Sequence, residues 1–286
     1  LFDGISCGQV ALKRAGVNIG NYYASEIDKY TIKVTQNNYP ETIQIGDIKK
    51  ISYKNGTLYT ENGEYNVGKI DIILAGSPCQ GFSYAGKRLN FNDPRSALFF
   101  EFLRLLKEIN PDYFLLENVK MKKEHQDTIT DFLEIEPILI NSSLVSAQNR
   151  NRLYWTNIPN VQQPADSKIQ TKDIIQYDLL SVNTESWKKW WSKNEKFQIK
   201  KKYCWYMNEH DKAICMTARQ VSSWNGNLVK HSKGVRFLSP IEAERLQNLP
   251  DNYTDYVSKT QRYKAIGNGW TVNVIAHILK GLKVEE

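Results

Sequence analysis

From residue 1 to residue 153, short apolar stretches alternate with amphipathic ones, and this alternation constrains the fold more than any other feature. Strand-like Leu1–Phe2 leads into a helix at Gly8–Ala15, and Ile19–Ser25 into one at Lys29–Asn37. The apolar run Ile70–Ala75 precedes a strongly apolar helix, Ser96–Ile109; Tyr113–Leu116 precedes Gln126–Glu134, and Arg152–Thr156 closes the series. Strands separated by helices pair through crossovers, so the pattern predicts an α/β fold with a mostly parallel sheet. Between them "YKNGTLYTENGEYNV" carries two Asn-Gly pairs, the mark of a small hairpin excursion. Leu1 already lies inside a strand-like stretch, which predicts that the chain begins slightly inside the natural domain.

From about Val161 to Val235 the alternation stops, and "WKKWWSKNEKFQIKKKYCWY" interleaves Lys with Trp, Phe and Tyr. Ser239-Pro240-Ile241-Glu242 then reads as a capped helix start. A last apolar helix near Val272–Leu282 is expected to dock back on the sheet. The division expected is a catalytic domain of residues 1–156 plus about 258–286, and a small recognition domain at about 157–257. A net charge of +7 favours a polyanionic partner. No apolar run reaches the ~20 residues of a membrane helix, and no signal-peptide pattern is seen. Cys7, Cys79, Cys204 and Cys215 form no disulfide framework in a chain of 286 residues, which predicts a reducing compartment.

"LFDGISCG" follows a strand and opens a helix, so Gly4 and Gly8 permit a tight turn close to a ligand. Glu26 and Asp28, in "ASEID", stand where a carboxylate would meet ribose hydroxyls, although Asp28 equally suits a helix cap. Asp47, in Gly46-Asp47-Ile48, is placed to receive an adenine amino group. Ser6 and Cys7 stand where a pyrophosphate-binding turn would carry glycines, which favours a smaller nucleoside ligand. "GSPCQGFS" sets Cys79 on the turn leaving a buried strand, "LLENV" ends in Glu117 and Asn118, and "QNRNRLYW" carries Arg150 and Arg152. A nucleophilic thiol needs a depressed pKa, hence a turn rich in backbone N–H groups rather than a strand interior.

These stretches, with the terminal "AIGNGWTVNVI", occur in the order found in DNA cytosine-5 methyltransferases. The chain resembles that family over nearly its whole length, the 161–235 segment excepted. The "PCQ" triplet is similar to bacterial and phage members. "DPRSALFFEFLRLL" and the stretch from "LLENVKM" to "RLYWTNIPN" look most like the catalytic domain of the vertebrate de novo enzymes. The resemblance implies a Rossmann-like fold that uses S-adenosylmethionine, releases S-adenosylhomocysteine, needs no metal and flips a cytosine out of duplex DNA. It implies Cys79 as the nucleophile and Glu117 as the acid at the ring nitrogen. Asn118 would hold the loop, while Arg150 and Arg152, both turned toward one ligand, would fix the base and thiolate. Cofactor contacts carry over to Asp3, Gly4, Ile5, Cys7, Glu26, Ile27, Asp47, Ile48, Pro78, Leu98, Asn268 and Trp270. Gln80, Ser83, Lys87 and Arg88, in a segment resembling the family's mobile loop, would face DNA. Thr217 matches the threonine beside the flipped base. Arg219, Gln220 and Trp224 are candidate base-edge readers, and Lys200, Lys201 and Lys202 candidate phosphate contacts.

The same residues admit other readings. Cys204, His210, Cys215 and His231 follow no common zinc spacing and read as ordinary packing. The tryptophans between 187 and 205 suit a small-domain core as well as a stacking surface. Phe99, Phe100 and Phe102 read as helix core, although the corresponding helix in de novo-type relatives makes a subunit contact; monomer and dimer both stay open. An RNA (tRNA) cytosine-5 methyltransferase of the same fold is the nearest alternative. A catalytically silent DNA-binding paralogue would have lost Cys79, Glu117 or Arg150, and all three are present. The resemblance also implies a cytoplasmic, nucleoid-associated enzyme of a prokaryotic or phage-infected cell, serving restriction protection, phage DNA protection or regulation.

Overall fold

A computed structural model describes residues 1–77, 94–179, 185–201, 203–220, 226–231 and 234–282. Expectations that fall on residues between these ranges lie outside the described residues. The chain divides into two compact units, one of Leu1–Ile140, Asn151–Gln163 and Ala276–Glu286, the other of Asn141–Arg150 and Pro164–Ile275.

In the first unit the chain runs α1 (Cys7–Ala15), β1 (Tyr23–Ala24), α2 (Lys29–Asn38) and β2 (Ile43–Gln44). The three antiparallel strands β3 (Ser52–Lys54), β4 (Thr57–Thr60) and β5 (Gly63–Asn66) follow, one more than a hairpin. Asn55 and Gly56, both at positive φ (50° and 80°), make the β3–β4 turn that the Asn-Gly pair announces. Next come β6 (Ile72–Ala75), α3 (Pro94–Ile109), β7 (Tyr113–Val119), α4 (Lys123–Leu133), β8 (Ile138–Asn141) and β9 (Asn151–Thr156).

β1 and β2 pair in parallel, and so do β6 and β7, while β9 lies antiparallel to β7 and β8 flanks β9. Residues 1–3 join the two sets, Leu1 N–H donating to Leu74 O at 2.7 Å and Asp3 N–H to Ser25 O at 3.1 Å. The order of strands therefore reverses beside residues 1–3, and the carboxyl end of such a switch point is where open α/β sheets bind ligands. Phe99, Phe102 and Leu105 of α3, all fully buried, pack with Ile73, Ala75, Phe114, Leu116, Leu153 and Trp155 of the central strands. This core fixes where β6 and β7 end. Phe99 and Phe102 are core as expected, whereas Phe100 is half-buried against the exposed Phe132, ring centroids 5.4 Å apart. At the amino ends of β1, β6 and β7, Tyr23, Ile72, Leu105, Ile109 and Tyr113 line an apolar cavity of about 300 Å³.

The second unit carries α5 (Glu185–Lys200), β10 (Cys204–Tyr206), β11 (Gly226–His231), β12 (Gly234–Phe237), α6 (Pro240–Leu246), α7 (Lys259–Asn268) and the first half of α8 (Val272–Leu279). β10 and β11 pair in parallel, β11 and β12 antiparallel. Trp191, Cys204, Tyr206, Leu228 and Val235 form a small core, so Trp191 is a core residue. His210 stacks on Trp205 at 3.9 Å. The cap at Ser239 forms as its sequence predicts: its hydroxyl accepts from Glu242 N–H at 3.1 Å, and the Glu242 carboxylate accepts from Ser239 N–H at 2.7 Å. This unit differs from the expected small domain in taking Asn141–Arg150 and reaching Ile275. Asn149 N–H donates to Ala213 O at 2.9 Å and Ala213 N–H to Ala147 O at 2.7 Å, which ties the short excursion in.

Candidate active site

The carboxyl ends of the parallel strands in the first unit carry Asp3-Gly4, Glu26, Asp47, Ser77 and Glu117-Asn118. The turn after residues 1–3 places Gly4 (φ 59°) and Ser6 (φ 57°) in the left-handed region, so the turn bends twice before α1 begins. Gly4 N–H donates to Glu26 Oε2 at 2.8 Å, and Ile27 and Asp28 N–H groups donate to Oε1 at 2.7 and 2.9 Å. The Glu26 carboxylate is thereby oriented at the mouth of the turn, with Ile27, 73% exposed, beside it. Asp28 caps α2, accepting from Tyr30 N–H at 2.9 Å.

The half-buried Asp3 accepts from Ser6 Oγ–H at 2.5 Å and Tyr22 O–H at 2.7 Å, and burial pushes its carboxyl above the ordinary range. Asp47 accepts from Lys49 N–H at 3.1 Å. Gly46 beside it has φ 77°, and a Cβ there would meet Glu61 Oε1 at 2.5 Å. The side chains of Ile5, Cys7 and Ile48 are buried, and Leu98 packs half-buried on the core.

Ser77 ends β6's continuation, and the next residues expected at the site, Pro78, Cys79, Gln80, Ser83, Lys87 and Arg88, lie outside the described residues. What anchors that end is visible: Asn118 Nδ2–H donates to Ser77 O and Oγ, both at 3.3 Å, and Asn118 is 1% exposed. Its neighbour Glu117 pairs with Arg152 Nε at 2.8 Å, both side chains about nine-tenths buried. Val119↔Arg152 and Glu117↔Tyr154 are in register across β7 and β9, so the antiparallel ladder sets this pair.

Arg150 has different surroundings. Its guanidinium donates to Met216 O (2.9 Å), Gly269 O (3.0 Å) and Gly267 O (3.4 Å), all in the second unit. Cys215 Sγ also lies 3.5 Å away. Beside it, Gln148 accepts from Met216 N–H at 3.2 Å and donates to Leu246 O at 2.6 Å. Gln247 donates to Ile266 O and Gly269 O at 3.0 and 3.1 Å. A Cβ on Gly267 would fall 2.3–2.4 Å from the backbone of Thr217 and Ala218.

This buried network holds the exposed Thr217 and the exposed Asn268 with half-buried Trp270 on one frame. Sequence reasoning missed Gln148, Gln247 and Gly267; the "QNRNR" and "GNGW" stretches stand out for other residues. Gln220, a candidate base reader, is enclosed. It is 1% exposed, donates to Asn227 O at 3.0 Å and packs where a Gly226 Cβ would be, at 2.6 Å. Arg219, Lys200 and Lys201 are exposed; Lys202 and Trp224 lie outside the described residues. Burial pushes the Cys204 thiol up to about 11, far from nucleophilic use at neutral pH.

A family model of the C-5 cytosine-specific DNA methylases matches residues 1–284. The chain belongs to this family. Among curated DNA methylases it is similar to type II methyltransferase M1.ScrFI of Lactococcus lactis subsp. cremoris, 32% identical across 96% of this chain and 75% of that one. It is similar also to type II methyltransferase M.HhaI of Haemophilus parahaemolyticus, 28% identical across 97% and 91%. The fold matches the Dnmt2 methyltransferase of S. pombe with a TM-score of 0.75, at 17% identity over 98% of this chain and 95% of that one. In this DNA methylase, then, the acid–arginine pair and the asparagine clamp stand at the end of β7, beside the strand that leads to Cys79.

Proposed function

We propose that this chain transfers a methyl group to C5 of a cytosine extruded from duplex DNA, with Cys79 as the transient nucleophile. The observation that carries the reading is the Glu117–Arg152 pair at 2.8 Å on the strand whose Asn118 grips Ser77, two residues before Cys79. C5 of cytosine is a weak nucleophile until a thiolate adds at C6. In the proposed sequence Cys79 Sγ bonds to C6 while Glu117 stabilises the proton at N3, which makes C5 enamine-like. Arg152 holds the Glu117 carboxylate in place, and C5 then takes the methyl group. Loss of the C5 proton expels the Cys79 thiolate and restores the ring.

The methyl comes from S-adenosylmethionine, whose bound form supplies an electrophilic carbon and leaves as S-adenosylhomocysteine. The first unit's turns fit such a nucleoside: an oriented Glu26 carboxylate for ribose hydroxyls, Asp47 for an amino group, and the exposed Ile27 for an apolar ring face. Asp3, Gly4 and Ile5 would line the methionine side, with Pro78, Leu98, Asn268 and Trp270 completing the contacts.

The direct test combines purified protein, methyl donor and duplexes containing 5-fluorocytosine, in which fluorine blocks the final elimination. A stable adduct mapped to Cys79 by peptide mass, absent in Cys79→Ala, is expected. Methyl transfer to tRNA in preference to duplex DNA would overturn the DNA assignment, and turnover by Cys79→Ala would overturn the covalent step.

A further inference from the structure

One face of α5 carries a row of lysines. At 3.6 residues per turn, Lys189, Lys193, Lys196 and Lys200 fall within about 60° of one another around the helix axis, and all four are exposed. The opposite side carries Trp191, 6% exposed in the small core, and Glu195 is engaged by the Tyr206 hydroxyl. Among the described residues none of the four lysines has an ion-pair partner. Beside the row, Phe197 (54% exposed) and Tyr203 (49% exposed) meet edge to face at 6.2 Å.

Like charges three and four residues apart disfavour a helix by roughly 0.2–0.5 kcal/mol per pair. Among the described residues no ion pair offsets the row. From Lys189 to Lys200 the helix rises about 17 Å at 1.5 Å per residue, which matches about five phosphates along one strand of a duplex at 3.4 Å each. Lysine is a hydrated point charge on a flexible stem, suited to phosphate oxygens, while the fork that reads guanine edges belongs to arginine. The row itself holds no arginine, asparagine or glutamine. The neighbouring aromatic pair offers apolar area for sugar rings without reading a base.

We propose that this face of α5 binds the phosphodiester backbone of the DNA substrate outside the target base pair, adding affinity that is independent of sequence. The proposal rests on the DNA reading above.

The test uses the full chain carrying Lys189→Gln, Lys193→Gln, Lys196→Gln and Lys200→Gln together. Affinity is measured between 50 and 200 mM salt, over which four phosphate contacts change binding by about 10²-fold, on duplexes with and without the methylated word. The slope of log K against log salt should become shallower by about 3–4, near 0.9 per lost phosphate contact. The loss should be equal on both duplexes, with the melting temperature not lowered. An unchanged slope, or a loss confined to the methylated word, overturns the proposal. So does weakened binding to polyglutamate with DNA binding intact, which would assign the face to an acidic polypeptide. If the unsubstituted chain methylates no duplex, the methyltransferase reading fails; if it methylates and the slope stays fixed, only the α5 assignment fails.

Discussion

Glu117 and Arg152 are close enough to behave as one group, so their substitutions separate chemistry from structure. Glu117→Gln keeps the shape and an acceptor for Arg152 while removing the acid. Turnover is expected to fall by about 10²-fold or more, which single-turnover methyl transfer below the variant's own melting temperature would show. Gly267→Ala acts differently, because the new Cβ meets the backbone of Thr217 and Ala218 at 2.3–2.4 Å, and backbone cannot swing aside. A loss of about 2–3 kcal/mol in denaturant unfolding is expected from overpacking; a loss below about 0.5 kcal/mol would mean that the two segments part easily. Asp3 makes a pH prediction. Its folded carboxyl is raised by burial, so its contribution to stability is full below the ordinary carboxylate range, about 3.9, and is lost as pH rises through the raised value. Asp3→Asn should therefore gain stability over the unsubstituted chain as pH rises above about 3.9. Urea midpoints that show no such gain would contradict it.

Among the elements, α6 shows what a sequence declares and what it conceals. Its capping box is local, four residues long, and legible from the order of residues alone. The same Glu242 carboxylate also receives both Nη groups of Arg236 at 2.7 Å and Gln176 N–H at 2.8 Å, and no local pattern announces those partners. Ser239→Ala should thus cost about 1 kcal/mol as a cap, and Glu242→Gln about 3–5 kcal/mol, since Arg236 would stay buried without its counter-charge. Equal midpoint shifts in guanidinium would refute the second role.

The same contrast runs through the fold. α1, α2, α3 and β6 follow from periodicity, and the β3–β4 turn follows from Asn55-Gly56, because their causes lie within a few residues. α5 reads in sequence only as interleaved Lys and Trp, its helical period hidden by a composition that favours several readings. β8, only Ile138–Asn141, escapes notice because a four-residue strand beside Pro137 carries little pattern of its own. At the site, Glu117 and Asn118 are legible from a strand-end motif, whereas the different surroundings of Arg150 and Arg152 depend on contacts up to 119 residues apart.

For the whole molecule, the path of the chain matters more than its elements. It passes between the two compact units at 140/141, 150/151, 163/164 and 275/276, so neither unit is continuous in sequence. The alternation of strands and helices ends near residue 156, which is why a boundary is expected there; the ten-residue excursion Asn141–Arg150 is too short to alter a pattern. Yet that excursion supplies the partners for much of the second unit's buried backbone. Ser146 Oγ–H and Gln148 Nε2–H both donate to Leu246 O at 2.6 Å, Arg150 reaches Met216 O and Gly269 O, and Lys212 donates back to Ser143 O and Ser146 O at 2.5 and 3.0 Å. Each buried group left unpaired costs about 1–3 kcal/mol, and a domain's whole margin is only about 5–15 kcal/mol. A fragment of residues 164–275 alone is therefore expected to unfold over a broad range and to show poorly dispersed amide resonances. Joining residues 141–150 to it through a flexible linker should restore a sharp transition, because the same donors return at high effective concentration. If residues 164–275 by themselves melt in one cooperative step, the excursion is dispensable and the boundary near 156 describes the folding unit after all.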